Sequence, residues 1–196
     1  DATTPFVLRS RYCHRPFWGE KIALEYLGRN VEATLGDFYA SFGRGLVLSI
    51  RKLDELGIDT TLRGAKLIYR EENFGMTLVI GGTNIQNVDQ ATGRSADDPY
   101  DFIAGGRVEN RFADKVNIGL HVTGGFAGRK SSAILRAKDN FLMYGGTIDA
   151  PRVTRWLGLY LEGAGQVATL ADKRKQGGAL YATVSTYLGP VTLLFE

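Results

Sequence analysis

The feature that most limits the folds open to this chain is hydrophobic alternation with a period of two. In VNIGLHVTGGF (116–126), Val116, Ile118, Leu120, Val122 and Phe126 share one face, while Asn117, Gly119, His121 and Thr123 share the other. FGMTLVIGG (74–82) sets Phe74, Met76, Leu78 and Ile80 against Gly75, Thr77, Val79 and Gly81. WLGLYLEGAGQVA (156–168) and GALYATVSTYL (178–188) alternate in the same way. Successive side chains of a strand point to opposite faces, so this pattern fits strands and not a 3.6-residue helix. Only RKLDELG (51–57) reads as a helical turn. Strands are expected near 5–12, 20–28, 31–50 (broken at a glycine-rich motif), 60–71, 74–84, 102–112, 116–126, 140–149, 155–167, 178–187 and 190–196.

The connections between these segments alternate in length. GRN (28–30), EEN (71–73), ADK (113–115), APRVT (150–154) and LGP (188–190) are short. The stretches 51–59, 84–101, 127–139 and 169–177 are long and polar. Strands of about ten residues, with short turns at one end and long loops at the other, are the pattern of an outer-membrane β-barrel. The composition agrees: 25 glycines against 5 prolines suit a sheet with many bends, and 44% hydrophobic residues exclude a disordered chain. No apolar run reaches the roughly 18 residues that a transmembrane helix needs. A net charge of +3 is too small to imply nucleic acid. Alternation alone also fits a soluble β-sandwich binding module, apolar inward and polar outward.

The expectation is an all-β, antiparallel up-and-down transmembrane barrel of about 10–12 strands in the bacterial outer membrane, one domain over 1–196. Single-chain bacterial barrels usually have an even number of strands, and the segments above number eleven. VTLLFE also stops without a turn, with Glu196 after Phe195. The chain therefore reads as part of a larger barrel, incomplete at its C-terminal end, unless 5–12 is not a strand.

The stretch GDFYASFGRGL (36–46), followed by LGID (56–59) and LRGAK (62–66), carries a motif. It resembles an uncharacterised family of bacterial outer-membrane β-barrels, of unknown function, with the signature G-D/N-F-Y-x-x-F-G-x-G-L. The resemblance implies an outer-membrane barrel and a longer protein, and it supplies no substrate and no catalytic residue. Two readings of the motif stand. In one, Gly43 and Gly45 bend or bulge the wall, Gly36 makes room for a ring, and Phe38, Tyr39 and Phe42 join an interfacial girdle. In the other, the aromatic residues fold inward and narrow the lumen. In both, Asp37 and Arg44 pair across the bend.

The remaining chemistry is sparse. By parity, Lys66, Arg70, Arg107, Glu109, Arg111, His121 and Glu162 line the lumen, with Arg63 and Glu25 as further candidates. Such a lining favours anions, although the glutamates oppose that bias. Neither histidine has the serine and acid spacing of a triad. Glu25 and Glu32, on adjacent strands, read as solvated charges. Asp97–Asp98 lacks the spaced oxygens of a calcium loop, and Cys13–His14 is no metal motif. GGFAG (124–128) is not a phosphate loop, because no helix follows it. No enzyme activity and no cofactor are expected. The basic stretches GRK (128–130) and KRK (173–175) would meet lipopolysaccharide. The expected function is porin- or transporter-like passage or binding of small polar or anionic solutes. The alternatives are a structural or assembly barrel with envelope protein partners, and the soluble sandwich.

Overall fold

The computed structural model describes residues 7–10, 21–53, 58–59, 61–83, 101–112, 115–126, 140–170, 173–188 and 191–196. The alternating segments become β1 (Val7–Ser10), β2 (Ile22–Leu27), β3 (Val31–Phe38), β4 (Ala40–Phe42), β5 (Leu48–Ile50), β6 (Lys52–Leu53), β7 (Ile58–Asp59) and β8 (Leu62–Arg70). They continue as β9 (Phe74–Thr83), β10 (Phe102–Phe112), β11 (Val116–Phe126), β12 (Asn140–Thr154), β13 (Leu157–Leu170), β14 (Lys173–Leu188) and β15 (Val191–Phe195). Eleven of them form one sheet in the order β1-β2-β3-β8-β9-β10-β11-β12-β13-β14-β15, each antiparallel to the next. This is an up-and-down sheet. Its edges β1 and β15 do not pair with each other, so among the described residues the sheet is not closed.

Three local expectations are corrected. The helical turn at 51–57 gives way, where the chain is described, to a small ladder in which Lys52 faces Asp59 and Leu53 faces Ile58. Most of the loop expected at 169–177 is strand, because Lys173, Arg174 and Lys175 extend β14 and pair with Leu170, Thr169 and Ala168. Polar residues carry no two-fold hydrophobic signal, but backbone pairing does not need one. The turn expected at 150–154 is likewise strand, with a register shift between Ala150 and Thr154. Cys13, His14, Asp97–Asp98 and GRK (128–130) lie outside the described residues.

The two faces of the sheet differ sharply in exposure. Leu120 is 63% exposed and Leu180 74%, and Ile80, Val122, Phe126, Leu142 and Tyr144 are exposed beside them. The opposite face buries Thr123, His121, Thr147 and Glu162, the last with 0% exposure. The described apolar core is small and lies on that inner side: Phe38, Phe42, Leu48, Ile50, Leu62, Val79 and Ile103 form one cluster. Two of its strands, β4 and β5, pair only with each other. They form a hairpin that leaves the sheet after β3 and enters the space that the sheet curls around.

Candidate lumen constriction

The hairpin begins where β3 ends. Gly36 has a φ of 107°, and a Cβ there would lie 2.1 Å from the carbonyl oxygen of Ile22 on β2. Only glycine allows this approach. Next to it, Asp37 stands opposite Arg63 in the register, on the outer face with Leu35 and Leu67. Asp37 accepts hydrogen bonds from Arg63 Nε at 2.9 Å, Arg63 Nη2 at 2.8 Å and the Ile22 backbone N–H at 2.8 Å. The expected Asp37–Arg44 pair is therefore replaced by a bidentate Asp37–Arg63 pair, and Arg63 falls on the face of β8 opposite to Lys66. Arg63 pairs across the ladder, whereas Arg44 travels away with the hairpin. The Arg44 guanidinium carbon sits 5.2 Å from the centroid of the Tyr160 ring.

Inside, the hairpin crosses the sheet. Phe42 is fully buried, and its ring fills the space a Cβ on Gly105 would enter, at 3.1 Å. It lies 6.1 Å, centroid to centroid, from the His121 ring. A Val47 methyl packs onto Gly145, where a Cβ would be 2.9 Å away. Glycines in β10 and β12 thus form the floor on which the hairpin rests. Phe38 and Phe42 join the inner cluster and not an interfacial girdle. The inward reading of the motif therefore matches this placement, and the wall-bulge reading does not.

The tip is a tight turn, Gly43-Arg44-Gly45-Leu46, closed by a hydrogen bond from the Gly45 N–H to the Phe42 carbonyl at 2.9 Å. Gly43 (φ 58°) and Gly45 (φ 104°) aim two backbone donors the same way. The Arg44 N–H donates to Glu162 Oε2 at 2.6 Å, and the Leu46 N–H to Oε1 at 3.1 Å. The Tyr160 hydroxyl donates to Oε2 at 2.7 Å. Two N–H groups of one tight turn, those of Arg44 and Leu46, thus converge on the protein's own carboxylate, much as an anion-holding nest does. A Cβ on Gly43 would lie 2.6 Å from that carboxylate. His121 Nε2 is 4.0 Å from Oε1, too far for a hydrogen bond, and neither ring nitrogen has a hydrogen-bond partner among the described residues. Because β3 and β13 are separated in the sheet by β8 to β12, this contact links two distant parts of the sheet.

Beside the hairpin, a cavity of about 250 Å³ is lined by Lys66, Arg70, Arg107, Glu109, Tyr39 and Thr77, among others. Arg107 Nη2 donates to Glu109 Oε2 at 2.8 Å, and Asn117 Nδ2 reaches the same oxygen at 3.3 Å. Arg70 forms an ion pair with Glu32, so Glu32 belongs to Arg70 and is not paired with Glu25. Among the described residues, Lys66 Nζ reaches the Tyr39 carbonyl, at 3.4 Å, and the Phe38 ring, 5.6 Å away. Arg111 stands opposite Asn117 near the turn at 113–115 and is exposed. Among the described residues, no group of three or more His, Cys, Asp or Glu is placed to hold a metal ion.

Residues 17–113 match a family of unknown function, DUF6029. The matched stretch carries the whole hairpin and the cations of the cavity. It ends before His121, Tyr160 and Glu162, so the turn and its carboxylate partner fall on opposite sides of its boundary. The match agrees with the uncharacterised character of the family that the motif resembles. It names neither the barrel nor the signature. No curated protein and no solved structure matches the chain.

Sequence reasoning placed Glu162 and His121 on the inner face but missed the hairpin that gives them a role. It also missed Tyr160, although Tyr160 and Glu162 lie two apart on one strand and so share a face. The hairpin was hidden because Phe42, Leu48 and Ile50 keep a strand-like rhythm whether the strand lies in the wall or inside it.

Proposed function

We propose that this chain is an outer-membrane β-barrel protein that passes or binds small polar or anionic solutes through a lumen constricted by the β4–β5 hairpin. The exposed apolar face carries the reading. In water, a continuous band of exposed Leu120, Val122, Phe126, Leu142 and Leu180 is an aggregation hazard. In a bilayer it is the correct solvent-facing side, and the polar lining belongs inside. Insertion also requires the edges of β1 and β15 to be covered, since an unpaired edge is costly in hydrocarbon. Lys173, Arg174 and Lys175, exposed at the end of the β13–β14 hairpin, would attract anionic lipopolysaccharide. A second reading, a structural barrel that docks envelope partners, draws support from the hairpin itself, which fills much of the lumen.

Heat-modifiability is the first test. The chain, exported with a signal and extracted from membranes, should run at a shifted position on a detergent gel until boiled. A soluble product without a shift would discard the barrel. Leu120→Arg sharpens the test: on a lipid-facing wall it should destabilise the folded form by about 2–4 kcal/mol and deplete the shifted band. On a soluble surface the same change stays within roughly 0.5 kcal/mol. Planar-bilayer recordings then separate the two readings, since a solute pathway conducts ions and a structural barrel leaves the bilayer silent.

A further inference from the structure

We infer that the cavity beside the hairpin is a binding site for a small oxyanion, a phosphate or a short dicarboxylate, with Lys66 as its principal charge. This deepens the proposal above by giving the solute a class and an address. The cavity presents three cations, Lys66, Arg70 and Arg107, against one carboxylate, Glu109. The protein spends two of these cations on itself. Glu32 holds Arg70, and Glu109 holds one Nη of Arg107. Lys66 is left with a carbonyl at the limit of hydrogen bonding and an aromatic face, and no described carboxylate pairs with it. Arg107 Nε is buried and has no hydrogen-bond partner among the described residues.

The walls keep this charge accessible. Glu109 lies across Gly75, where a Cβ would come within 2.8 Å of its side chain, so the glycine lets the carboxylate fold flat toward Arg107. Tyr39, Ala40 and Ser41 of the hairpin border the space, and Thr77 adds a hydroxyl from β9. At about 250 Å³ the cavity is smaller than the roughly 300–1,000 Å³ of sites for drug-sized ligands, so it selects a compact ligand. Lysine and arginine around a small polar space suit an anion with several oxygens, because each N–H can then form a charge-assisted hydrogen bond.

The test is calorimetric titration of the folded 196-residue chain, in a phosphate-free alkyl-glycoside detergent, with inorganic phosphate and with succinate at constant ionic strength. Saturable binding of either anion is expected, weakened about tenfold by Lys66→Met and by Arg107→Gln and kept within about threefold by Lys66→Arg. No binding, or wild-type affinity in both charge-removing variants, would overturn the site. If Arg107→Gln fails to fold, Lys66→Met decides, since Lys66 lies outside the apolar cluster. The readout does not depend on conduction. A chain that conducts but binds neither anion loses the site and keeps the barrel reading, whereas one that binds but never conducts loses only passage.

Discussion

Glu162→Ala should lower the temperature at which the folded form collapses more than any other truncation of an inner-face side chain. The carboxylate is wholly buried and accepts from the Arg44 N–H, the Leu46 N–H and the Tyr160 hydroxyl. Its removal leaves three donors without an acceptor in a space closed to water. A buried polar group left unsatisfied costs about 1–3 kcal/mol, and the combined loss should be on the order of 3–5 kcal/mol, the scale for breaking a buried charged interaction. The hairpin tip would then be held only by packing around Phe42 and Val47. If the barrel conducts, the open-state current should rise as well. Glu162→Gln should be milder, because its carbonyl can still accept from the Arg44 N–H and the Tyr160 hydroxyl, and only the Leu46 N–H, which then faces the amide donor, loses its acceptor. The check is a detergent-gel temperature series for both variants. An alanine variant that collapses at the wild-type temperature would mean the turn is not anchored there.

Gly36→Ala should abolish the folded form. The backbone has φ 107°, outside the range that other residues tolerate, and the new methyl would lie 2.1 Å from a carbonyl oxygen of the neighbouring strand. That oxygen belongs to the backbone, so relief requires β2 and β3 to part. A strained φ alone costs about 1–3 kcal/mol, and the lost pairing adds to it. Gly43→Ala makes an instructive comparison. Its Cβ would meet the end of the Glu162 side chain at 2.6 Å, and its φ of 58° is one that other residues visit at moderate cost. It should weaken the hairpin without preventing folding. Gly177→Ala is the control, because nothing lies within 4 Å of its added methyl. Yields of the heat-shifted band should rank Gly177→Ala above Gly43→Ala above Gly36→Ala, and a Gly36 variant that folds like the control would refute the close-approach argument.

What could be read from the residues follows from the range of the forces involved. Val116–Phe126 was legible to the residue because it alternates cleanly between an apolar and a polar face, and Phe102–Phe112 because Arg107, Glu109 and Arg111 share one face. The face assignments of Arg107, Glu109, His121 and Glu162 came with them, since parity is a local property. The partner of Asp37 was not legible: Arg44, nearby in sequence, was an obvious candidate, but the β3–β8 register brings Arg63 opposite. Nor was the end of β14, where Lys173, Arg174 and Lys175 look like a loop because polar strands lack the apolar rhythm. The inward hairpin escaped for a different reason. Its acceptor is 118 residues away from Arg44, and no local pattern marks a contact at that separation.

That separation also orders events in time. In the unfolded chain the Gly43–Leu46 turn and its acceptor are far apart. Bringing the two together closes a loop of 118 residues, an entropic cost of about 4 kcal/mol before any strand between them has paired. The cost falls as β8 to β12 zip up by neighbouring hairpins, each a local step. The turn should therefore seat last, after the sheet has curled far enough to present β13. Until then its backbone donors stay open to water or to a passing anion, and the final docking of Glu162 marks the completion of assembly.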